Sequence, residues 1–365
     1  MQNNNFENND MVDLYSTSYE DISSSSKKPK KKKRKGGIIA TIIIIFVLIG
    51  AIGFLGYSYV YNIINNVERT PLETETPEEL NITTSEFDGI KNIALLGIDT
   101  RQDNTSGRSD AVLVLSVDKK HNKIKLISIA RDSYVAIDGR KNDKLTHAYA
   151  YGKSTLAVKT LNKNFNLEIS DYVTVNFYGF SRIIDYIGGV EVEVDKKEMD
   201  HLNSYVIPKL VKSGFECEKI KTTGKQKLTG TQALCYSRIR KIDGDVERGN
   251  RQKEVLGAMF DKVRSMNVSK LPKIAEMIFS ECQTSLSTKD IISMGLWAVT
   301  SSPSMENISI PNDNVKGQGK IVNGAWCYVY DIEAAAKEMK NFILETENYA
   351  PALAEETDDE SKKTN

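Results

Sequence analysis

Apolar residues follow distinct spacings in different parts of the chain. From Ile38 to Tyr61 they are almost continuous, long enough to cross a bilayer core as a helix. From Gly89 onward they come as short, β-branched runs bounded by turn residues: Lys91–Gly97, Ala111–Val117, Lys123–Ala130, Tyr172–Asn176, Val190–Val194 and Cys235–Ile239. These spacings predict strands. Between and after them the apolar period lengthens to that of a helix, over Leu145–Asn164, Phe177–Tyr186, Arg251–Ser265, Leu271–Phe279, Thr288–Thr300 and Glu333–Leu344. The helix Arg251–Ser265 shows this best, with Val255, Leu256, Met259, Phe260 and Val263 on one face. Strands interleaved with helices predict an α/β fold: a layered αβα domain with a central mixed sheet, preceded by a single transmembrane helix.

The predicted organisation is a cytoplasmic, disordered tail with a basic cluster over 1–36, a signal-anchor helix over 37–61 and an acidic extracellular stalk over 62–88. A catalytic domain over 89–345 and a disordered acidic tail over 346–365 follow.

Charge sharpens this picture. Lys plus Arg and Asp plus Glu both number 49, giving a formal net charge of zero. Locally the balance fails: eight of the nine residues 27–35 are basic, directly before the apolar run. Basic residues on that side place the N-terminus in the cytoplasm and the bulk of the chain outside the cell. The basic run is thus a topology signal, and a nucleic-acid partner is not expected. The segment Glu68–Asp88 is rich in Pro, Thr and Glu and predicts a self-repelling stalk. The four cysteines, Cys217, Cys235, Cys282 and Cys327, lack metal-site spacing. In an extracellular domain they allow two disulfides; sequence proximity favours Cys217–Cys235 with Cys282–Cys327.

The candidate chemistry gathers at strand ends. Asp99 and Arg101 follow the first strand, Arg108 and Asp110 lead into the second, and Arg131 ends the third. Strand ends in an open α/β sheet are the usual ligand site. The segment 235–252 adds Arg238 and Arg240, two apart and so on one face of a strand. Asp243-Gly244-Asp245 then reads as a turn, and Arg248, Arg251 and Gln252 extend the helix toward its N-terminus. Arginines aimed into a domain require anionic partners. Two readings fit: an ion network with Asp243, Asp245 and Glu247, or a multiply charged phosphate ligand gripped by planar guanidinium groups. Taken with the strand-end arginines, the phosphate reading is favoured. Asp99 and Asp110 then suit Mg²⁺. No P-loop or dinucleotide fingerprint is present. The histidines His121, His147 and His201 form no catalytic arrangement visible in sequence, and His147 reads as a helix-start or core residue.

Five motifs in order resemble the LytR-CpsA-Psr family of Gram-positive cell-wall enzymes: Gly-Ile-Asp-Thr-Arg at 97–101, Gly-Arg-Ser-Asp at 107–110, Ser-Ile-Ala-Arg-Asp-Ser at 128–133, Leu-Thr-His-Ala-Tyr-Ala-Tyr-Gly at 145–152, and Tyr-Ser-Arg-Ile-Arg with Asp-Val-Glu-Arg-Gly-Asn-Arg-Gln within 236–252. The resemblance implies transfer of a teichoic acid or capsule-like polysaccharide from a polyprenyl phosphate or pyrophosphate carrier to a muramic acid hydroxyl of peptidoglycan. It implies Mg²⁺ on Asp99 and Asp110, and pyrophosphate on Arg108, Arg131, Arg238, Arg240 and Arg248, with Asp245 and Gln252 in support. Arg101 and Arg251 are further substrate-binding candidates, and Asp99 or Asp110 is the candidate base. It also implies an apolar lipid tunnel, for which Phe177, Phe180, Ile183, Ile184 and Ile187 are candidate walls, ordinary core being the other reading of each. Ala130 stands where the family usually has Pro, Ser133 replaces Thr, and Lys153 follows Gly152 where a second Gly is common. None of these departures removes a charge. A hydrolase using the same site, or a non-catalytic lipid- or glycan-binding regulator, are the alternatives.

Overall fold

The computed structural model describes residues 56–65, 69–73, 76–83, 85–100 and 107–346. Most of the predicted anchor, both predicted tails and Arg101 lie outside them. The end of the anchor stretch falls in a helical segment over 56–65.

A six-stranded sheet forms the centre of the domain. Its strands are β1 (Ile90–Asp99), β2 (Arg108–Asp118), β3 (Lys123–Ile129), β6 (Asp171–Asn176), β9 (Cys282–Thr284) and β10 (Ser304–Ile310), in the order β10-β3-β2-β1-β6-β9. β1–β2, β2–β3 and β6–β9 are antiparallel, while β1–β6 and β10–β3 are parallel, so the sheet is mixed as predicted. Three two-stranded sheets complete the strands: β4 (Tyr134–Val135) with β5 (Asp143–Lys144), β7 (Val190–Val194) with β8 (Gly224–Leu228), and β11 (Gln318–Val322) with β12 (Ala325–Val329).

Helices cover both faces. Helix α1 (Leu145–Phe165) and the last helix, α9 (Ile332–Leu344), bury one face, where Ala94, Leu96, Val114 and Ile127 meet Leu161, Phe165, Met339 and Phe342. Near-total burial of such side chains stabilises by roughly 1.5–3 kcal/mol each. Next to β6 lies α2 (Phe177–Tyr186), capped by the Asn176 side chain accepting from the Gly179 amide. The chain then runs through α3 (Lys196–His201), a π-helical turn (Leu202–Val206), α4 (Ile207–Val211) and α5 (Gly230–Tyr236). Helices α6 (Asp245–Arg264), α7 (Leu271–Ser280) and α8 (Thr288–Ser301) follow. Together with 56–65, α7 and α8 cover the second face at Ile93, Leu95, Leu115, Val117 and Val173.

Two predictions about local structure need correction. The stretch read as a strand over Cys235–Ile239 is the end of α5 and a turn, so Arg238 and Arg240 do not share a strand face. β-forming residues there suggested extension, but a capping box upstream decides: Thr229 accepts from the Gln232 amide while the Gln232 side chain caps Thr229 in return, committing the chain to a helix. The predicted free stalk over 62–88 is partly docked. Ile64, Leu80 and Phe87 are buried, Arg69 donates to the Leu286 carbonyl at 3.0 Å, and the Thr70 amide donates to the Thr284 carbonyl at 3.1 Å. Apolar burial offsets the repulsion of the acidic neighbours.

Candidate active site

The site begins with an irregularity between β1 and β2. Gly97 pairs with Ala111, but Ile98 pairs with Ser109, so Asp110 is the extra residue of a bulge. Bulges re-aim side chains where pairing ends, and here the bulge sets the carboxyl group of Asp110 close enough to that of Asp99 for each to shift the other's titration. Gly97 is required at this close approach, since a Cβ there would stand 2.9 Å from the Ala111 Cβ.

Arginines from three directions meet the two acids. Arg131, just past β3, donates from Nη1 to Asp110 Oδ1 at 2.6 Å. Arg248, in the first turn of α6, reaches the Asp110 carbonyl from Nη2 at 3.0 Å and Asp245 Oδ1 from Nη1 at 3.0 Å. Arg238, in the turn after α5, lies 3.7 Å from Asp99 Oδ2 with its guanidinium 4.1 Å from the centre of the Phe177 ring. Gly244, at φ +102°, provides the predicted turn that launches α6 and aims Arg248 inward. Arg240 is exposed beside them and Arg108 lies across the opening.

Burial decides the charge states. It pushes the Asp99 carboxyl up, the Asp110 charge adding to this and Arg238 opposing it. Burial would raise Asp110 too, but Arg131 and Arg248 overcome it and hold that carboxyl below its usual range. Burial lowers Arg248 to about 10, which leaves it protonated at neutral pH. The Nε atoms of Arg131 and Arg248 are buried and make no hydrogen bond among the described residues, although Arg131 Nε stands 3.4 Å from Asp132 Oδ2 and 3.8 Å from Asp245 Oδ2. Unsatisfied buried donors are costly, and oxygen-rich anions would satisfy such a set.

The arginine cluster lines a cavity of about 1020 Å³. Below the charged groups the walls become apolar: Leu95, Leu113, Val173 and Val175 from the sheet, and Leu256 and Met259 from α6. Of the predicted wall residues, Phe177, Phe180 and Ile183 line the cavity, whereas Ile184 and Ile187 are buried in the adjoining core. The cavity thus joins a charged cluster to apolar walls, a lining suited to a lipid with an anionic head.

Not every predicted residue reaches it. Arg251 turns away and pairs with Glu198 at 2.6 Å and with Asp243, the structural network anticipated as the other reading of this segment. Asp245 supports Arg248, and Gln252 lines the cavity while its Nε2 donates to the Ser237 carbonyl at 3.4 Å. His147, expected at a helix start or in the core, stands in the first turns of α1, lines the cavity and pairs with Asp143 at 2.9 Å. Sequence reading passed over Asp132, Lys144 and Lys209. Asp132 and Lys144 pair at 3.0 Å in the wall of the cavity. The adjacent Arg131 was the available signal for Asp132; Lys209 carried none.

A Mg²⁺ ion fits the donor set. Two neighbouring carboxyl groups that push on each other's charge are the kind of oxygen donors Mg²⁺ takes, and Asp99 and Asp110 form such a pair. By contrast, the trio Asp118, His121 and Glu345 at the far end of the strands already encloses a cation. Lys125 Nζ lies there 3.0 Å from Asp118 and 2.8 Å from Glu345.

All four cysteines are free thiols. Those of Cys217 and Cys235 are neighbours that perturb each other, Cys217 downward and Cys235 upward. The pairing of Cys282 with Cys327 is not supported, because Cys282 opposes Val175 in β9 while Cys327 opposes Lys320 in the β11–β12 hairpin.

The profile of the LytR_cpsA_psr family matches residues 56–343. A Bacillus cereus polyisoprenyl-teichoic acid–peptidoglycan teichoic acid transferase, TagU, is 32% identical over 316 residues, covering 81% of this chain and 95% of the relative. The TagU of Oceanobacillus iheyensis is 32% identical over 300 residues, covering 79% and 86% respectively. Among solved structures, TagT bound to LI-WTA superposes with a TM-score of 0.59 at 30% identity, covering 76% of this chain and 98% of TagT. TagT with bound octaprenyl pyrophosphate lipid gives a TM-score of 0.56 at 28% identity, with the same coverage.

Proposed function

The chain belongs to the LytR-CpsA-Psr family, and from that membership we propose that it transfers a teichoic acid-type glycopolymer from a polyprenyl pyrophosphate carrier to peptidoglycan. The observation that carries the proposal is the union of an arginine–aspartate cluster with an apolar cavity of about 1020 Å³. One cavity offers both a pyrophosphate grip and a sleeve for the isoprenoid. The TagU relatives are named for this transfer, and one TagT structure holds an octaprenyl pyrophosphate.

The mechanism follows from the geometry. The lipid enters between Leu113, Val175 and Leu256, which brings its pyrophosphate against Arg131, Arg238 and Arg248. Phosphoryl transfer develops charge on non-bridging oxygens, so fixed guanidinium groups lower the barrier by electrostatic stabilisation. The acceptor hydroxyl attacks the phosphorus that carries the glycan. Its P–O bond forms as the bond to the polyprenyl phosphate breaks, and the hydroxyl proton passes to Asp99. We assign that role to Asp99 because it is the more exposed of the two acids and holds a proton above the usual range. Asp110, locked by Arg131 and Arg248, stays ionised. Mg²⁺ held by Asp99 and Asp110 would neutralise charge on the pyrophosphate oxygens. The reading includes an extracellular domain anchored by the apolar stretch 37–61, with the basic run 27–35 on the cytoplasmic side.

The test uses the full-length protein in detergent micelles with a polyprenyl-pyrophosphoryl disaccharide, peptidoglycan oligomers and Mg²⁺. Acceptor-linked glycan that forms with wild type and disappears in Arg238→Ala is the expected result. Polyprenyl phosphate released with no acceptor product would point to a hydrolase. Lipid binding with neither product would leave a binding protein.

A further inference from the structure

Beside the arginine cluster the cavity lining carries cations that the transfer chemistry leaves unused. Lys209 on α4 lines both the main cavity and a side cavity of about 100 Å³ that also touches Asp99 and Arg238. Lys241 lies in the turn before α6, its ammonium 3.9 Å from the centre of the Tyr205 ring. Arg240 is next to it, and none of the three has a carboxylate partner within salt-bridge distance among the described residues. The acids nearby are engaged elsewhere: Asp243 with Arg251, and Asp200 with Lys196. The inner arginines differ, since Arg131, Arg238 and Arg248 each face an aspartate.

The backbone holds this group in place by an uncommon device. Tyr205 and Val206 belong to the π-helical turn Leu202–Val206, and both line the cavity. π-turns are rare and recur at functional sites. This one is pinned by Asn203, whose side chain donates to the Ile220 carbonyl at 2.7 Å and accepts from its amide at 2.8 Å. The extra residue swings Tyr205 out between His201, stacked on it at 5.2 Å, and Lys241. Three cations, Lys241, Lys209 and Arg240, draw the Tyr205 hydroxyl below its ordinary range, consistent with a locally uncompensated positive field.

We propose that Lys209, Lys241 and Tyr205 form a subsite for the phosphodiester backbone of the glycopolymer, guiding the polyanion away from the pyrophosphate as the lipid lies in the apolar sleeve. This rests on the transfer reading and deepens it: the preferred donor is one whose repeats carry phosphate, as opposed to a neutral polysaccharide. Repeating phosphodiesters fit a row of exposed cations because each site gains a modest, salt-screened attraction without requiring a defined sugar. The tyrosine adds a hydroxyl donor and a ring edge against the polyol.

The experiment compares two lipid-pyrophosphate donors with the full-length protein in micelles. One carries a neutral disaccharide, and the other the same disaccharide extended by a glycerol phosphate oligomer. Lys209→Gln/Lys241→Gln should raise the donor KM roughly tenfold for the extended donor at low salt. It should leave kcat/KM for the neutral donor in place, and the gap should close in high salt. Equal loss on both donors, no loss on either, or a rise confined to the acceptor KM would overturn the subsite. If wild type turns over neither donor, the transfer reading has failed. The free glycerol phosphate oligomer, titrated into both proteins, then decides the subsite alone: salt-sensitive binding lost in the double variant supports it, and equal binding overturns it.

Discussion

Asp99 and Asp110 stand side by side where β1 ends and β2 begins, and their surroundings drive them in opposite directions. Burial lifts Asp99, whereas Arg131 and Arg248 hold Asp110 down against the same burial. A bulge of one residue, at Gly97 and Ile98, brings the pair together. In the proposed mechanism the two divide the work, Asp99 taking the proton and Asp110 anchoring the guanidinium groups.

Substitution should separate these roles. Asp99→Asn removes the proton acceptor at a half-open position and is expected to cost on the order of 10²–10³ in turnover, with the melting temperature unchanged. Asp110→Asn should cost as much turnover and also lower the melting temperature by about 4 °C, because the Arg131 and Arg248 cluster loses its ionised partner. Thermal melts of the two variants check this; equal melting temperatures would contradict the division.

The apolar sleeve predicts a chain-length effect. Leu256 on α6 faces Val175 and Leu113 in the cavity wall. Leu256→Trp fills space without displacing packed core. It should raise the KM for a long polyprenyl donor about tenfold and spare a short-chain soluble analogue. Equal effects on both donors would mean that the isoprenoid lies elsewhere.

The site was more legible in the sequence than the elements that carry it. Asp99, Arg108, Asp110 and Arg131 stand where β-branched runs end, so the short apolar runs and their turn signals located them at strand ends. Arg238 was found although its element was misread, because a guanidinium signals an anion whichever backbone holds it. Arg251 shows the converse: its helical phase pointed inward, but Glu198, remote in sequence, captured it. Strand β10 escaped because Ser304, Glu306 and Asn307 break its apolar run, whereas β6, also parallel to a remote partner, kept its own. The π-turn escaped for a related reason, as the Asn203–Ile220 clasp that pins it forms only in the folded chain. The docking of Leu80 and Phe87 was hidden by the charge of their neighbours.

The thiols of Cys217 and Cys235 lie near enough to perturb each other, with Cys235 buried and Cys217 half-buried. Exposure to a disulfide oxidant such as oxidised glutathione should join them by thiol–disulfide exchange, glutathione leaving reduced and the protein losing two hydrogen atoms. Closing the intervening loop should stabilise by about 3 kcal/mol. Mass spectrometry of the non-reduced protein, with Cys217→Ser as control, reads the bond directly. Four alkylatable thiols after oxidation would exclude it.

Lys253 gives a prediction about stability instead of activity. Its ammonium is buried between α6 and β10 and donates to Ser309 Oγ at 2.8 Å. Burial pushes its pKa from 10.5 down to about 8, with Glu247 opposing. Between those values the unfolded chain binds a proton that the folded chain lacks, so stability rises with pH through that window. Below about 8 both states are protonated and the cost of burying the charge, on the order of 3 kcal/mol, is present in full. Lys253→Met should remove the cost, while Ser309 keeps its bond to Asn250 at 2.8 Å. Denaturant midpoints are therefore expected to favour the variant near neutrality, and its advantage should shrink as pH climbs through the window. Midpoints that stay a constant distance apart over that range would show that Lys253 keeps its ordinary pKa in the fold.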